Sequence, residues 1–342
     1  MWDENKVRII DIAEELGLST ATVSNVLHGK TKKISDKTVR RVERKLEERG
    51  YIPNMAATLL ARNNSRIIGV AVKNHEKYEG RLLEDPFISA AINALSDEIE
   101  KQGYFMLLKK ALEIMDIARF ASMWNLDGMV VLSFCADEYQ NLRDHIRIPF
   151  VVYDGFIQSP DRISNVMLDD FDGGRQVGEY LKSMGHSEVL CVADNRICMD
   201  LDRYNGLCAG LGKRADFLEI PLLEKQREAF YREHLPHLTA HTAIFAVSDF
   251  YAAELMGFLR RNGVDIPGDI SLVGFDGSRY CGMTSPTLAS VYQDHRLRAG
   301  TAMDLLVKMI ADPGFSQTLR LPVRLLPGGS VKNRTLSSLR NL

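Results

Sequence analysis

The stretch RIIDIAEELGLSTATVSNVLH, residues 8–28, sets the reading of the whole chain. Ile9, Ile12, Ala13 and Leu16 recur at helical spacing, and Gly17 stops that helix. Ser19 is placed to cap a second helix over Thr20–Leu27, in which Val23, Val26 and Leu27 form an apolar face. Two short amphipathic helices joined by a glycine-containing turn read as a helix-turn-helix. The second helix opens with small polar residues, Thr20, Ala21 and Thr22, followed by Ser24 and Asn25. Its N-terminal end suits a major groove, where bulky side chains would block approach and small polar groups reach base edges or phosphates. A helical hairpin inside a larger core would show the same apolar spacing, so the flanking residues carry the distinction.

Those flanks are basic. His28-Gly29 ends the second helix, and Ser35 can cap a third that runs through Val39, Val42 and Leu46 to Gly50. Between Lys30 and Lys45 lie eight basic residues against two acidic ones. Arg49, Tyr51, Pro53 and Asn54 follow, then the Ala/Leu-rich run Met55–Arg62. With the pattern I-x-D-I-A-x-x-L-G-L-S-x-x-T-V-S-x-V-L at the head, these segments resemble the LacI/GalR family of bacterial repressors. The resemblance implies operator contacts from Thr20, Ala21, Thr22, Ser24, Asn25, His28, Tyr51, Asn54, Ala57 and Leu60. It also implies a hinge helix over Met55–Ala61, ordered on DNA, with Leu60 wedging into the minor groove and kinking the duplex. The partners expected are a pseudo-palindromic operator, a second copy of the chain and a small-molecule effector.

The 342 residues suffice for two or three domains. Charge is unevenly spread: residues 1–62 carry a net +3 and the remainder −5. A basic head on an acidic body fits nucleic-acid contact by the head alone. Five isolated cysteines with no C-x-x-C pair read as reduced thiols, and no signal-peptide pattern opens the chain. A cytoplasmic protein is expected. The tail after Val331 holds only Leu336, Leu339 and Leu342, too short for a tetramerising coiled coil, so a homodimer is expected.

From Ile67 the rhythm turns to alternating strand and helix, the mark of parallel sheets covered by helices. The expected fold is thus an all-α helix-turn-helix head on an α/β body of two Rossmann-like lobes. The resemblance adds a periplasmic-binding-protein-like topology with three crossings between lobes. The boundaries expected are 1–53 for the head, 54–65 for hinge and linker, and 66–342 for the body. Lobe 1 takes about 66–160 and 293–321; lobe 2 takes about 161–289 and 324–335.

Ligands in open α/β sheets sit beyond the carboxyl ends of strands. Asp154, Asp169, Ser248, Asp249 and Asp276 fall at such ends. A carboxylate accepts from adjacent hydroxyls and a guanidinium donates in a fixed fork, the pairing a sugar needs. The resemblance assigns effector contacts to Arg203 of the R-x-x-G segment and to Asp276. It adds Phe245 and Phe87 as aromatic walls; Asp154 and Ser248 complete the expected effector set, while Asp249 reads as a helix cap. The sequence departs from the family at the short, basic 108–116 segment, at Asp194–Asp202 and at the short 212–241 stretch. Those departures bear on the effector, and a nucleoside or an amino-acid-like ligand stands as the alternative to a sugar.

No nucleophile–base pairing, P-loop or G-x-G-x-x-G is found, so neither an enzyme nor a cofactor is expected. A transport-type binding protein of the same fold would lack the basic head. His234, His237 and His241 suggest a metal, but Pro236 interrupts them and no acidic or thiol partner is near in sequence, so no metal site is expected. Asp169, Asp170 and Asp172 read as a strand end followed by helix caps.

Overall fold

The computed structural model describes residues 7–52, 65–134, 136–155 and 163–335. The expected hinge helix, with Asn54, Ala57 and Leu60, lies outside the described residues, as do Cys135 and the three tail leucines. Contacts divide the chain into two units, Met1–Ser65 and Arg66–Leu342.

The head holds α1 (Ile9–Leu16), α2 (Thr20–Leu27) and α3 (Asp36–Glu48). Gly17 ends α1 in the left-handed conformation (φ 63°), the position where a Cβ is penalised. The Ser19 hydroxyl accepts the Thr22 N–H at 3.1 Å and Ser35 accepts that of Thr38 at 3.3 Å, so both helices start at serine caps. Ile12, Ala13, Leu16, Val23, Val26 and Val42 close a small core. Arg41 of α3 donates to the Leu16 carbonyl at 2.8 Å, satisfying a group that the end of α1 leaves open.

Among the described residues the body holds two six-stranded sheets. The first contains β1 (Ile67–Lys73), β2 (Phe105–Ala111), β3 (Gly128–Leu132), β4 (Phe150–Tyr153), β5 (Ser164–Leu168) and β11 (Thr318–Leu321), in the order β11-β5-β4-β3-β1-β2. The second contains β6 (Val189–Ala193), β7 (Asp216–Glu219), β8 (Ala243–Ala246), β9 (Ser271–Asp276), β10 (Ala289–Tyr292) and β12 (Arg324–Leu326), in the order β12-β10-β9-β8-β6-β7. The pairings are parallel except β10 with β12. Central strands such as Ile68–Val72 and Val189–Ala193 are buried on both faces, hence their unbroken apolar sequence.

One expected boundary is corrected. Residues 164–168 belong to the first sheet, pairing Val151 with Ser164 and Tyr153 with Val166, and do not open the second lobe. An apolar parallel strand carries no mark of which sheet it joins, so alternation alone misplaced it. The chain crosses after β5, after β10 and after β11. Helix α4 (Pro86–Lys101), capped by Asp85, and helix α13 (His295–Ala311) pack together on the first sheet. The first lobe also holds α5 (Ile114–Met123) and α6 (Ala136–His145).

In the second lobe α7 (Asp170–Ser183) and α8 (Cys198–Leu211) approach at glycine. A Cβ on Gly174 would lie 2.0 Å from the Arg203 carbonyl oxygen, and one on Gly206 would lie 2.0 Å from that of Phe171. Helices α9 (Glu224–Glu233), α10 (Leu235–Thr239), α11 (Asp249–Arg261) and α12 (Tyr280–Met283) complete the lobe. Gly206→Ala is therefore expected to destabilise the body by at least about 1–3 kcal/mol, the usual cost of overpacking. Urea unfolding followed by circular dichroism measures this; an unchanged midpoint would show that the two helices can part freely.

Candidate functional site

On α2 of the head, Thr20, Ala21 and Asn25 are exposed, while Thr22, Ser24 and His28 are half-buried. The Thr22 hydroxyl lies 2.8 Å from that of Ser19, so it also serves the cap. His28 forms the C-cap, and Tyr51 donates its backbone N–H to the Leu46 carbonyl behind α3. One end of a short helix thus presents small polar groups, with the basic α3 beside it.

In the body, the carboxyl ends of the two sheets face a cleft of about 490 Å³. Phe87, Asp154, Arg203, Ser248 and Asp276 all line it. Phe245 does not: it is fully buried in the core of the second lobe. The strand continues through Ala246, and Phe245 pairs with Cys191 of β6, so it lies inside the sheet rather than at its rim. Phe250, on the first turn of α11, lines that wall instead, together with Tyr251 and Tyr280.

Backbone strain gathers here. Ser133, Asp154, Cys198 and Asp276 all line the cleft and all take positive φ, 77° at Asp154 and 123° at Asp276. Such conformations persist in side-chain-bearing residues only where surrounding contacts over-determine them. At Asp154 the contact is an ion pair with Arg298, which has no exposure. Arg298 also donates to the Gln293 side-chain oxygen at 3.0 Å, and Gln293 donates through Nε2 to Asp276 Oδ1 at 2.8 Å. This chain of bonds links an aspartate of the first lobe to one of the second.

Arg203 is buried on the second-lobe side. It donates to Asp170 Oδ1 and to the Val247 carbonyl, at 2.8 and 2.7 Å, and lies 3.7 Å above the Phe275 ring centroid. Asp170 is thus the counter-ion of Arg203, not a simple helix cap, whereas Asp169 does cap α7 through the Asp172 N–H. The expected capping role of Asp249 is also corrected. Ser248 caps α11 through the Tyr251 N–H, and Asp249 is buried, accepting from Ser278 N–H and the Ser290 hydroxyl at 2.6 Å each. It pins the loop after β9, which displays Asp276.

Several cleft residues were not anticipated from sequence. Lys77 reaches Asp194 across the cleft at 3.8 Å, and Arg81 pairs with Glu224. Tyr251 donates its hydroxyl to Asp194 at 2.8 Å, and Asn195 bridges Asp194 and Asp200. Burial opposes the Lys77 charge, but Tyr78, Asp194, Asp200 and Asp85 outweigh it and raise its pKa. Burial pushes Asp200 up to about 7, against the pull of Arg203 and with a push from Asp194. Burial and Asp249 raise the Asp276 carboxyl well above its usual range, with Arg203 opposing. Burial and Arg298 push His295, beside Phe87, down to about 4, so its ring is neutral near pH 7. The unusual Asp194–Asp202 segment was the one sequence signal for this cluster.

Residues 8–54 match the family model of bacterial regulatory proteins, lacI family, and residues 179–331 match a periplasmic binding protein-like domain. The chain belongs to the LacI family of bacterial regulators. The HTH-type transcriptional repressor PurR of Vibrio atlanticus (strain LGP32) is 27% identical over 321 residues, covering 89% of this chain and 92% of the relative. The HTH-type transcriptional regulator CelR of Thermobifida fusca is 26% identical over 312 residues, covering 87% and 90%. Among solved structures, the lac repressor dimer bound to operator and an anti-inducer superposes with a TM-score of 0.82 at 23% identity, covering 96% of this chain and 99% of that one. A LacI-family regulator of Enterococcus faecium with bound ribose superposes at 0.67 and 26% identity, covering 78% and 99%. This chain is a DNA-binding transcriptional regulator. No helix among the described residues is long and apolar enough to cross a membrane.

The raised Asp200 pKa has a definite sign in stability. Between the unfolded value near 4 and the folded value of about 7 the folded state binds the extra proton, so this group's contribution falls as pH rises through that window. Asp200→Asn should therefore narrow the stability difference between pH 5 and pH 8 by on the order of 2 kcal/mol. Urea midpoints at both pH values test this; an unchanged difference would mean that Asp200 ionises freely in the fold.

Proposed function

We propose that this regulator is a homodimeric cytoplasmic repressor that binds a pseudo-palindromic operator. Its operator affinity is set by a small hydroxyl-rich molecule, a sugar, held in the cleft of the body. One observation carries the effector reading: Asp154 and Asp276, each at a strand end with positive φ, line one cleft and are tied together by Arg298 and Gln293. Carboxylates at fixed positions accept from neighbouring hydroxyls, while Arg203 holds the cleft floor and Phe87 offers an apolar wall. Carboxylates outnumber free cations around the cavity, which suits a polyol better than an anion.

The names of similar proteins support this reading. Solved relatives include a CelR–cellobiose complex, LacI-family regulators with ribose, and a regulator from Alkaliphilus metalliredigens QYMF with D-xylulofuranose. In the head, the DNA contacts proposed are Thr20, Ala21, Thr22, Ser24, Asn25, His28 and Tyr51, with Asn54, Ala57 and Leu60 serving the minor groove.

The effector acts only through its differential affinity for two arrangements of the lobes. The Lys77–Asp194 and Arg81–Glu224 pairs each join the first lobe to the second and would break or shift as the lobes move.

Two measurements test the reading. Screened by thermal shift against sugars, nucleosides and amino acids, the protein should respond to a sugar; a ligand at 100-fold its dissociation constant stabilises by about 2.7 kcal/mol. Asp276→Ala should then weaken that ligand by about 2–5 kcal/mol, the cost of truncating a buried charged partner, and abolish its effect on operator binding by fluorescence anisotropy. A full ligand response in this variant would refute the cleft assignment.

For the head, Asn25→Ala should alter preference between operator variants at one salt concentration by about 1–3 kcal/mol while leaving the thermal shift with effector unchanged. Equal loss on operator and random DNA would reduce Asn25 to a phosphate contact.

A further inference from the structure

At the amino ends of the second sheet's strands, opposite the cleft, three side chains that are distant in sequence converge. Asp216 opens edge strand β7; His237 sits on α10; His241 lies just before β8. One ligand atom from each falls within 4.8 Å of the others. We propose that Asp216, His237 and His241 form a binding site for a divalent transition-metal ion of the zinc class, held by Asp216 Oδ2 and the two Nε2 atoms.

The hydrogen bonding around the three groups orients them for this. His241 Nδ1 lies 2.9 Å from the His237 carbonyl oxygen, which can only accept, so Nδ1 carries the proton. The Nε2 of a neutral His241 is then a lone pair. It faces Asp216 Oδ2 at 3.5 Å. Two acceptors at that distance repel unless a cation lies between them. Asp216 Oδ1 is already taken by the Phe217 N–H at 2.8 Å, which turns Oδ2 toward the histidines. His237 Nε2 is 2.9 Å from the same Oδ2, and its ring stacks on that of His241 at 5.2 Å. Each would-be ligand is thus positioned by a neighbour, as protein groups around metal ligands commonly do.

The spacing fits. Tetrahedral zinc, with bonds of about 2.0–2.1 Å, needs ligand atoms roughly 3.3 Å apart. Two of the three separations, 2.9 and 3.5 Å from Asp216 Oδ2 to the histidine nitrogens, bracket that value, and the third is within 4.8 Å. Three protein ligands leave a position for water, and the 39% exposure of His237 with 53% of Asp216 allows entry from solvent. Imidazole nitrogen with one carboxylate suits Zn²⁺, Co²⁺ or Ni²⁺ over the hard cations that prefer oxygen alone. The site would tie the edge strand to the α10–β8 connection, far from the cleft, and is independent of the effector reading.

The test uses the full chain, stripped with chelator, titrated with Zn²⁺ by calorimetry and with Co²⁺ by absorption. The expected result is one Zn²⁺ per chain and a cobalt spectrum without a thiolate charge-transfer band. Zn²⁺ should also raise the melting temperature. Asp216→Asn and His237→Gln should each weaken binding about tenfold or more and lose that rise. Both sit at half-exposed positions, and circular dichroism confirms that the variants are folded. His234→Gln is the control, because His234 stacks on Phe230 at 3.9 Å and bonds the Phe230 carbonyl, and it should leave binding unchanged. Three results would each overturn the proposal. They are no Zn²⁺ uptake, which would make a proton the occupant between His241 and Asp216; unchanged uptake in Asp216→Asn; or a thiolate band assigning the metal to cysteines.

Discussion

A guanidinium with no access to water must be paired, and the pairing of Arg298 shapes the centre of this body. Its partners come from three places: Asp154 at the end of β4, the Val166 carbonyl on β5, and Gln293 just after β10. The Tyr153 ring lies 4.5 Å from it. A buried charge left without its partner costs several kcal/mol, so the strand ends and the crossing that supply these atoms are held in register together. Gln293 extends the network to Asp276 in the other sheet. Two lobes that could otherwise slide are thus joined by hydrogen bonds at the crossing.

The second lobe repeats the arrangement with Arg203. Its backbone is reached closely because Gly174 and Gly206 remove the Cβ atoms that would keep α7 and α8 apart. That close crossing sets Asp170 at the start of α7 beside Arg203 on α8, and the ring of Phe275 below it. Glycine packing, a buried ion pair and the cleft floor are therefore one structural fact viewed at three scales. A larger residue in the helix crossing would be felt at the ligand wall.

The cleft edges are electrostatically different from its floor. Arg81, on the loop before α4, meets Glu224 on the second lobe in an exposed pair worth little individually, while Lys77 beside it reaches the buried carboxylate of Asp194. The floor holds buried pairs that are expensive to disturb. Such a division lets the rim rearrange while the ligand-facing groups stay fixed, which is what a two-state sensor needs.

The helix-turn-helix was legible because everything that defines it is local. Ser19 and Ser35 cap, Gly17 turns left-handed, and Val23 and Val26 fall on one face, all within one or two turns of each other. The alternation of strand and helix was legible for the same reason, and so was the position of Asp154, Arg203, Ser248 and Asp276 on the cleft, since strand ends and a nearby motif mark them. Non-local choices were decided by tertiary structure alone. Apolar strand β5 could pair in either sheet, and its register with β4 put it in the first. Phe245 could face cleft or core, and the length of β8 sent it to the core. Asp249 looked like a cap because its neighbours in sequence begin a helix, yet its partners Ser278 and Ser290 lie 29 and 41 residues away. His237 and His241 lacked an acidic partner near in sequence; edge strand β7 brings Asp216 to them from 21 and 25 residues upstream. Hydrophobic period and capping are properties of neighbouring residues, whereas the pairing of a buried charge depends on which distant segments the fold brings within 3 Å.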